Sequence, residues 1–246
     1  VSMGTPGVAA RTGDAALTHL LVSLQLSDSA FPSGFYTMSH GLESFSQAGL
    51  VDARSVGELL EDLLVSVVGP GDATALARAH EAARAGDWET VADLDRLLHA
   101  TKLNAELRLA SVRSGRQLAD IAAETFAGTT AGPEVAAWAA RVKAKEVPGC
   151  QPVVTAVCYA AVGVPTAAAV ASDLFAFAVS YAGAALRLRL TDHRSNQVML
   201  RRAQPVIEAV VADAMARPVA DIGGFAPMGD VMSAAHERAE ARLFTT

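Results

Sequence analysis

The chain has 246 residues, 51% of them hydrophobic, with a formal net charge of −6 and a sequence pI near 5.5. An acidic chain of this kind lacks the electrostatic footprint for nucleic acid or an anionic membrane surface, so neither is expected as a partner. The length suits one domain, since no compositional shift divides it, and a mean hydropathy of +0.28 points to apolar surface kept for a partner subunit.

Residues 1–14, which begin VSMGTPGVAART, lack the basic region, apolar run and cleavage site of a secretory leader. They are expected to form a flexible tail, leaving 15–246 as one all-α domain. Leu17, Leu20, Leu21 and Leu24 repeat at the helical period and predict a first amphipathic helix over 15–26. The stretch FPSGFYTMSHGLESF at 31–45 comes next, and it is too long and too apolar for an ordinary helix connector. Ser55 and Glu58 read as a capping box that opens a helix carrying Leu59, Leu60, Leu63, Leu64 and Val67. That helix is expected to stop at the GPG of 69–71. Asp72 and Asp87 read as N-caps of the next two helices, with Gly86 ending the one between them.

Over 101–126 the pattern runs on without a break and predicts the longest helix, about seven turns at about 3.6 residues each. GTTAGP ends it, and Pro133 stands as the first residue of the following helix. From 151 to 172 no residue is charged, which by length alone would make a membrane span. Pro152, Gly163 and Pro165 divide this stretch, and Ala and Thr outweigh Leu and Ile, so it predicts buried core helices over 152–161 and 166–190. TDHRSNQ reads as a polar turn before a helix over 197–217, which Pro205 kinks or begins. A loop over 218–229 leads to Asp230 as the cap of a last helix ending near Arg242, Leu243 and Phe244. No run alternates with the two-residue period of a strand, so the fold class is all-α, a bundle of about ten helices.

Enzyme signatures are weak throughout. VGPGDATAL is the nearest approach to a phosphate-binding loop, but it lacks the lysine and follows no strand, and it reads as a helix N-terminus. The six histidines include no pair at the i, i+4 spacing of a metal site. His40 with Glu43, and His236 with Glu240, each put an imidazole and a carboxylate on one helix face, as a two-ligand metal site, an ion pair or a partner contact. Cys150 and Cys158 belong to no CxxC set and read as reduced thiols in a core. A helical metal-binding protein would need Glu-x-x-His pairs, and a dimeric transcriptional regulator a basic recognition helix; neither pattern stands out. Close to the end of the sequence stand Arg242, Leu243 and Phe244, the composition of an interface anchor, or of a tail that tucks onto its own core.

Four stretches together resemble the UreF family of urease accessory proteins. The first is LQLSDSAFPSGFYTMSHGLESF, matching at Gln25, Asp28, Ser29, Phe31, Pro32, Gly34, Tyr36, Thr37, Ser39, Gly41, Leu42 and Glu43. ELRLASVRSGRQL at 106–118 and SYAGAALRL at 180–188 follow in order. The last is DVMSAAHERAEARLF, with Asp230, Ser233, His236, Glu237, Arg242, Leu243 and Phe244 on family positions. Departures fall at Met38 and Cys150, where histidine is common in the family, and at TDHRSNQ over 191–197.

The resemblance implies an all-α homodimer in the cytoplasm with no catalytic residue, cofactor or resident metal of its own. It implies a scaffold that binds the accessory protein UreD (UreH in some organisms), recruits the GTPase UreG and so delivers nickel to apo-urease. It leaves open whether the protein biases the GTPase or supplies a passage for nickel. The partner-binding residues it suggests are Asp28, Ser29, Phe31, Pro32, Gly34, Tyr36, Thr37, Ser39 and Glu43 in the first motif. In the last they are Asp230, Ser233, His236, Glu237, Arg242, Leu243 and Phe244.

Overall fold

A computed structural model describes residues 14–32, 37–238 and 242–244 as helices joined by short connections, with no strand among them. The helices are α1 (Ala15–Ser27), α2 (Leu42–Gln47), α3 (Val56–Leu63), α4 (Thr74–Arg84), α5 (Trp88–Thr101) and α6 (Ala105–Thr125). They continue as α7 (Gly132–Lys143), α8 (Gln151–Val162), α9 (Thr166–Arg187), α10 (His193–Ala216) and α11 (Pro227–His236). Residues 1–13 of the expected 1–14 tail, and Gly34, Tyr36 and Glu240, lie outside the described residues, while Asp14 caps α1 by accepting from the Ala16 amide.

The uncharged stretch behaves as its prolines and glycines predict. Gly163, at φ +87°, ends α8, and Pro165 precedes α9. With no polar face to present to water, α8 becomes the centre of the bundle, and its first nine residues, Gln151 to Tyr159, are all buried. α4, α6, α7 and α9 pack around it. The length and composition of α9 would let it cross a membrane, but half of its apolar window is buried inside the bundle, as in a core helix. Both cysteines are free and buried.

Where α6 crosses the start of α8, a Cβ on Gly115 would lie 2.0 Å from the Gly149 carbonyl oxygen, so only glycine permits this approach. Asp95 of α5 is fully buried at the same junction and accepts from the amides of Gly149 and Cys150 at 2.6 and 2.7 Å. Both amides immediately precede α8, so a carboxylate from another helix ties down the chain where it enters that helix.

Several boundaries differ from expectation. The capping box lies three residues earlier: Asp52 accepts from the Ser55 amide at 3.1 Å, while Ser55 Oγ accepts from the Asp52 amide at 3.1 Å. GPG does not stop its helix. The chain runs from α3 into α4 through a π-helical segment, Leu64–Ala73, with Pro70 inside it. Asp72 therefore caps nothing and instead pairs with Lys102 at 2.7 Å.

The long helix expected over 101–126 is split at Lys102, Leu103 and Asn104, and α10, with 24 residues, is the longest. Asp192 accepts from the amides of Arg194 and Ser195, so α10 starts within the expected polar turn and Pro205 falls inside it. Asp230 lies in the first turn of α11 rather than at its cap, because Pro227 already begins that helix. The predicted caps at Asp87 and Gly86 hold, with Asp87 accepting from the Thr90 amide and Gly86 at φ +73°.

Candidate functional site

The first and last motifs meet although they are about as far apart in sequence as the chain allows. α2 begins after Gly41, whose φ of +82° turns the backbone, and Ser39 Oγ accepts from the Glu43 amide at 3.3 Å. This places Glu43, 3% exposed, beneath α11. α11 ends at His236, 1% exposed, whose Nε2 lies 3.1 Å from Glu43 Oε2 and whose Nδ1 lies 2.7 Å from Glu106 Oε1. An imidazole thus sits between two buried carboxylates, one at each ring nitrogen.

The tail closes the cluster. The Leu243 amide donates to Glu43 Oε1 at 2.8 Å and the Phe244 amide to Glu43 Oε2 at 3.0 Å. Gln47 Nε2 adds a donor to Oε1 at 3.3 Å. Each Glu43 oxygen then has two donors, which fills the acceptor capacity of a carboxylate. Arg242 Nη1 approaches Glu106 Oε1 at 3.4 Å. Glu237 Oε1 accepts from the Glu106 amide at 2.8 Å, tying the end of α11 to the free N-terminus of α6. The Phe244 ring is buried under the Arg187 guanidinium, 4.3 Å from the ring centroid, a cation–π contact.

The structure therefore gathers Ser39, Glu43, His236, Glu237, Arg242, Leu243 and Phe244 into one place. Among these, Leu243 keeps an outward side chain, 66% exposed. Asp230 accepts from Asn104 Nδ2 on the near side of α11, and buried Ser233 faces a cavity. The rest of the first motif stands apart. Asp28 closes its own turn by accepting from the Ala30 amide, Ser29, Pro32 and Thr37 are exposed, and Phe31 packs partly against the core.

The pairing of His40 with Glu43 on one face does not occur. His40 precedes α2 and turns to α9, where Nε2 meets Ser180 Oγ at 2.8 Å and the ring packs on Phe177. Burial, aided by the Arg187 charge, lowers its pKa to about 3. Among the described residues no three His, Cys, Asp or Glu side chains converge as metal ligands. The carboxylates around His236 address opposite edges of the ring.

A cavity of about 190 Å³ lies beside the cluster, between the approach to α2, the π-helical segment, α6 and α11. Its walls include Met38, His40, Lys102, Asp173, Phe177 and Ser233. Burial raises the Asp173 carboxyl to about 7, against the lowering effect of the hydrogen bond from Gln151.

The sequence pattern of the UreF family matches residues 50–204 of the chain. The chain belongs to the UreF family. It is 31% identical to the urease accessory protein UreF 2 of Brucella canis over 93% of both chains. It is also 32% identical to the urease accessory protein UreF of an Arthrobacter species, over 94% of this chain and 98% of the relative. A third relative, the urease accessory protein UreF of Photorhabdus laumondii, is 29% identical over 92% of this chain and 97% of its own.

The UreF-family match over 50–204 includes Glu106 but neither Glu43 nor His236, so the cluster joins the matched core to both flanks. Sequence reasoning did not select Glu106, Gln47 or Arg187 as site residues. Glu106 opens the second family-like stretch, and that position was the available signal.

Proposed function

We propose that this UreF-family protein is a non-catalytic scaffold of urease maturation. As a homodimer it binds UreD/UreH and through that complex recruits the GTPase UreG for nickel insertion into apo-urease. The observation that carries this reading is the seated tail: its backbone is held by Glu43 while Leu243 faces solvent and the Arg242 side chain is 42% exposed.

Around it, Phe225, Met228 and Val231 of the α11 region are exposed apolar residues, and Leu103 next to Asn104 is another. Apolar anchors beside a half-exposed arginine have the make-up of a protein interface centre. α1 offers a second apolar face, since Leu17, Leu20, Leu21 and Leu24 are each more than half exposed, and this face supports the homodimer.

The test is size-exclusion chromatography with light scattering on the full chain mixed with UreD/UreH of the same organism, comparing the unaltered protein with Leu243→Asp and Arg242→Ala. Leu243→Asp retains the backbone donors and is expected to abolish the complex while leaving the melting temperature unchanged. Arg242→Ala is expected to keep the fold and reduce recruitment of the GTPase. Undiminished complexes with both variants would remove the tail from the interface.

A further inference from the structure

Burying two carboxylates is costly unless each has a counter-charge and its oxygens are served by donors. With the tail in place Glu43, 3% exposed, has donors at both oxygens, and Glu106, 7% exposed, has His236 and Arg242 at Oε1. Both ring nitrogens of His236 are taken up by these carboxylates, Nε2 at Glu43 Oε2 and Nδ1 at Glu106 Oε1, so the ring bridges the pair. The Arg242 guanidinium adds a cation beside Glu106 Oε1. The tail supplies Arg242 and two of the four donors to Glu43. With the tail displaced, Glu43 would keep only Gln47 and His236.

We infer that Glu43, His236 and Glu106 form a seat for the protein's own C-terminal segment, acting as positioning residues that set the pose of Arg242, Leu243 and Phe244 rather than as contacts to a partner. The role of that pose in partner binding rests on the scaffold reading above; the seat itself does not.

Three features make this a recognition site rather than general packing. Glu43 binds main-chain amides, so it fixes the path of the segment and leaves the Leu243 side chain free. The seat draws one residue from each of α2, α6 and the end of α11, so its geometry depends on those three elements being assembled together. Phe244 adds an apolar plug under Arg187, which fixes the register of the segment on the two Glu43 oxygens.

The experiment is hydrogen exchange on the isolated full-length chain, following the C-terminal peptide that contains Leu243 and Phe244 alongside peptides from α8. Glu43→Gln preserves size but removes the charge and places an amide NH₂ where one set of donors points. It is expected to speed exchange of the C-terminal peptide about 10- to 100-fold, the range for a lost hydrogen bond to a charged group, with α8 unchanged.

His236→Gln is the second arm, expected to free the same peptide by removing the ring that bridges the two carboxylates. Leu243→Ala is the control and should retain wild-type protection, because its anchoring is through the backbone. C-terminal exchange within about twofold of wild type in both Glu43→Gln and His236→Gln, against that range, would overturn the seat. A Glu43→Gln protein that frees the segment yet binds UreD/UreH normally would uphold the seat and overturn the tail's part in the scaffold reading.

Discussion

At the scale of single residues, two glycines in similar helical settings carry opposite predictions. Gly115 has no room: a Cβ there would come within 2.0 Å of the Gly149 oxygen and 2.7 Å of the Gln151 amide nitrogen, both backbone atoms that cannot rotate away. Gly115→Ala must push α6 off the start of α8, and with it the amides that serve Asp95. A loss of about 1–3 kcal/mol is expected, the range for overpacking. Gly183 lies inside α9 with nothing within 4 Å of its added Cβ, so Gly183→Ala should gain about 0.5–1 kcal/mol from reduced backbone entropy in the unfolded chain. Urea unfolding checks both, with the midpoints moving in opposite directions at a common slope. A neutral Gly115→Ala would mean that the two helices are not held at this distance.

At the scale of elements, the helices were legible wherever local chemistry decided them, and misread where tertiary contacts did. The leucine repeat of α1, the Asp87 cap and the Gly163 break all follow from side-chain period and backbone preference over a few residues. GPG misled because its cost is met from elsewhere in the chain. Pro70 has no N–H to give within the segment, and loop amides from far along the chain brace it instead: the Phe225 amide donates to the Ser66 carbonyl at 3.0 Å. The Gly223 amide likewise donates to the Pro70 carbonyl at 3.0 Å, and Gly224 fits against Val67 where any Cβ would clash. The seat was legible in part for the same reason: the motifs could be singled out, but Glu43 meets His236 and Phe244 across nearly 200 positions, a pairing that periodicity does not encode. Gly224→Ala tests this account of the π-helical segment. Its Cβ would lie 2.7 Å from Val67 Cα, so the loop must lift and the Phe225 amide should exchange about tenfold faster, the equivalent of one neutral hydrogen bond. Unchanged protection at Phe225 would show that the loop is not held at this distance from the segment.

At the scale of the whole molecule, buried titratable groups pull the pH dependence of stability in opposite directions. His80, fully buried and hydrogen-bonded to Thr166, has its pKa lowered by desolvation to about 4, and that of His40 is lowered to about 3. Below pH 6.5 the unfolded chain takes up these two protons and the folded chain does not, so stability falls as the pH drops toward 4. Asp173 acts the other way. Its folded carboxyl holds a proton up to about pH 7, whereas the unfolded one releases it near 3.8. Stability is therefore lost as pH rises between those values and levels off above the upper one. Asp173→Asn isolates this contribution, since the amide oxygen can still accept from Gln151 Nε2 and carries no charge to desolvate. Calorimetry from pH 4 to 8 should show the melting temperature of the variant gaining on that of the wild type up to about 7, then running parallel to it. A constant offset across the range would mean that the Asp173 carboxylate is ionised in the fold from the start. The adjoining cavity would then hold a fixed negative charge rather than one that appears near neutral pH.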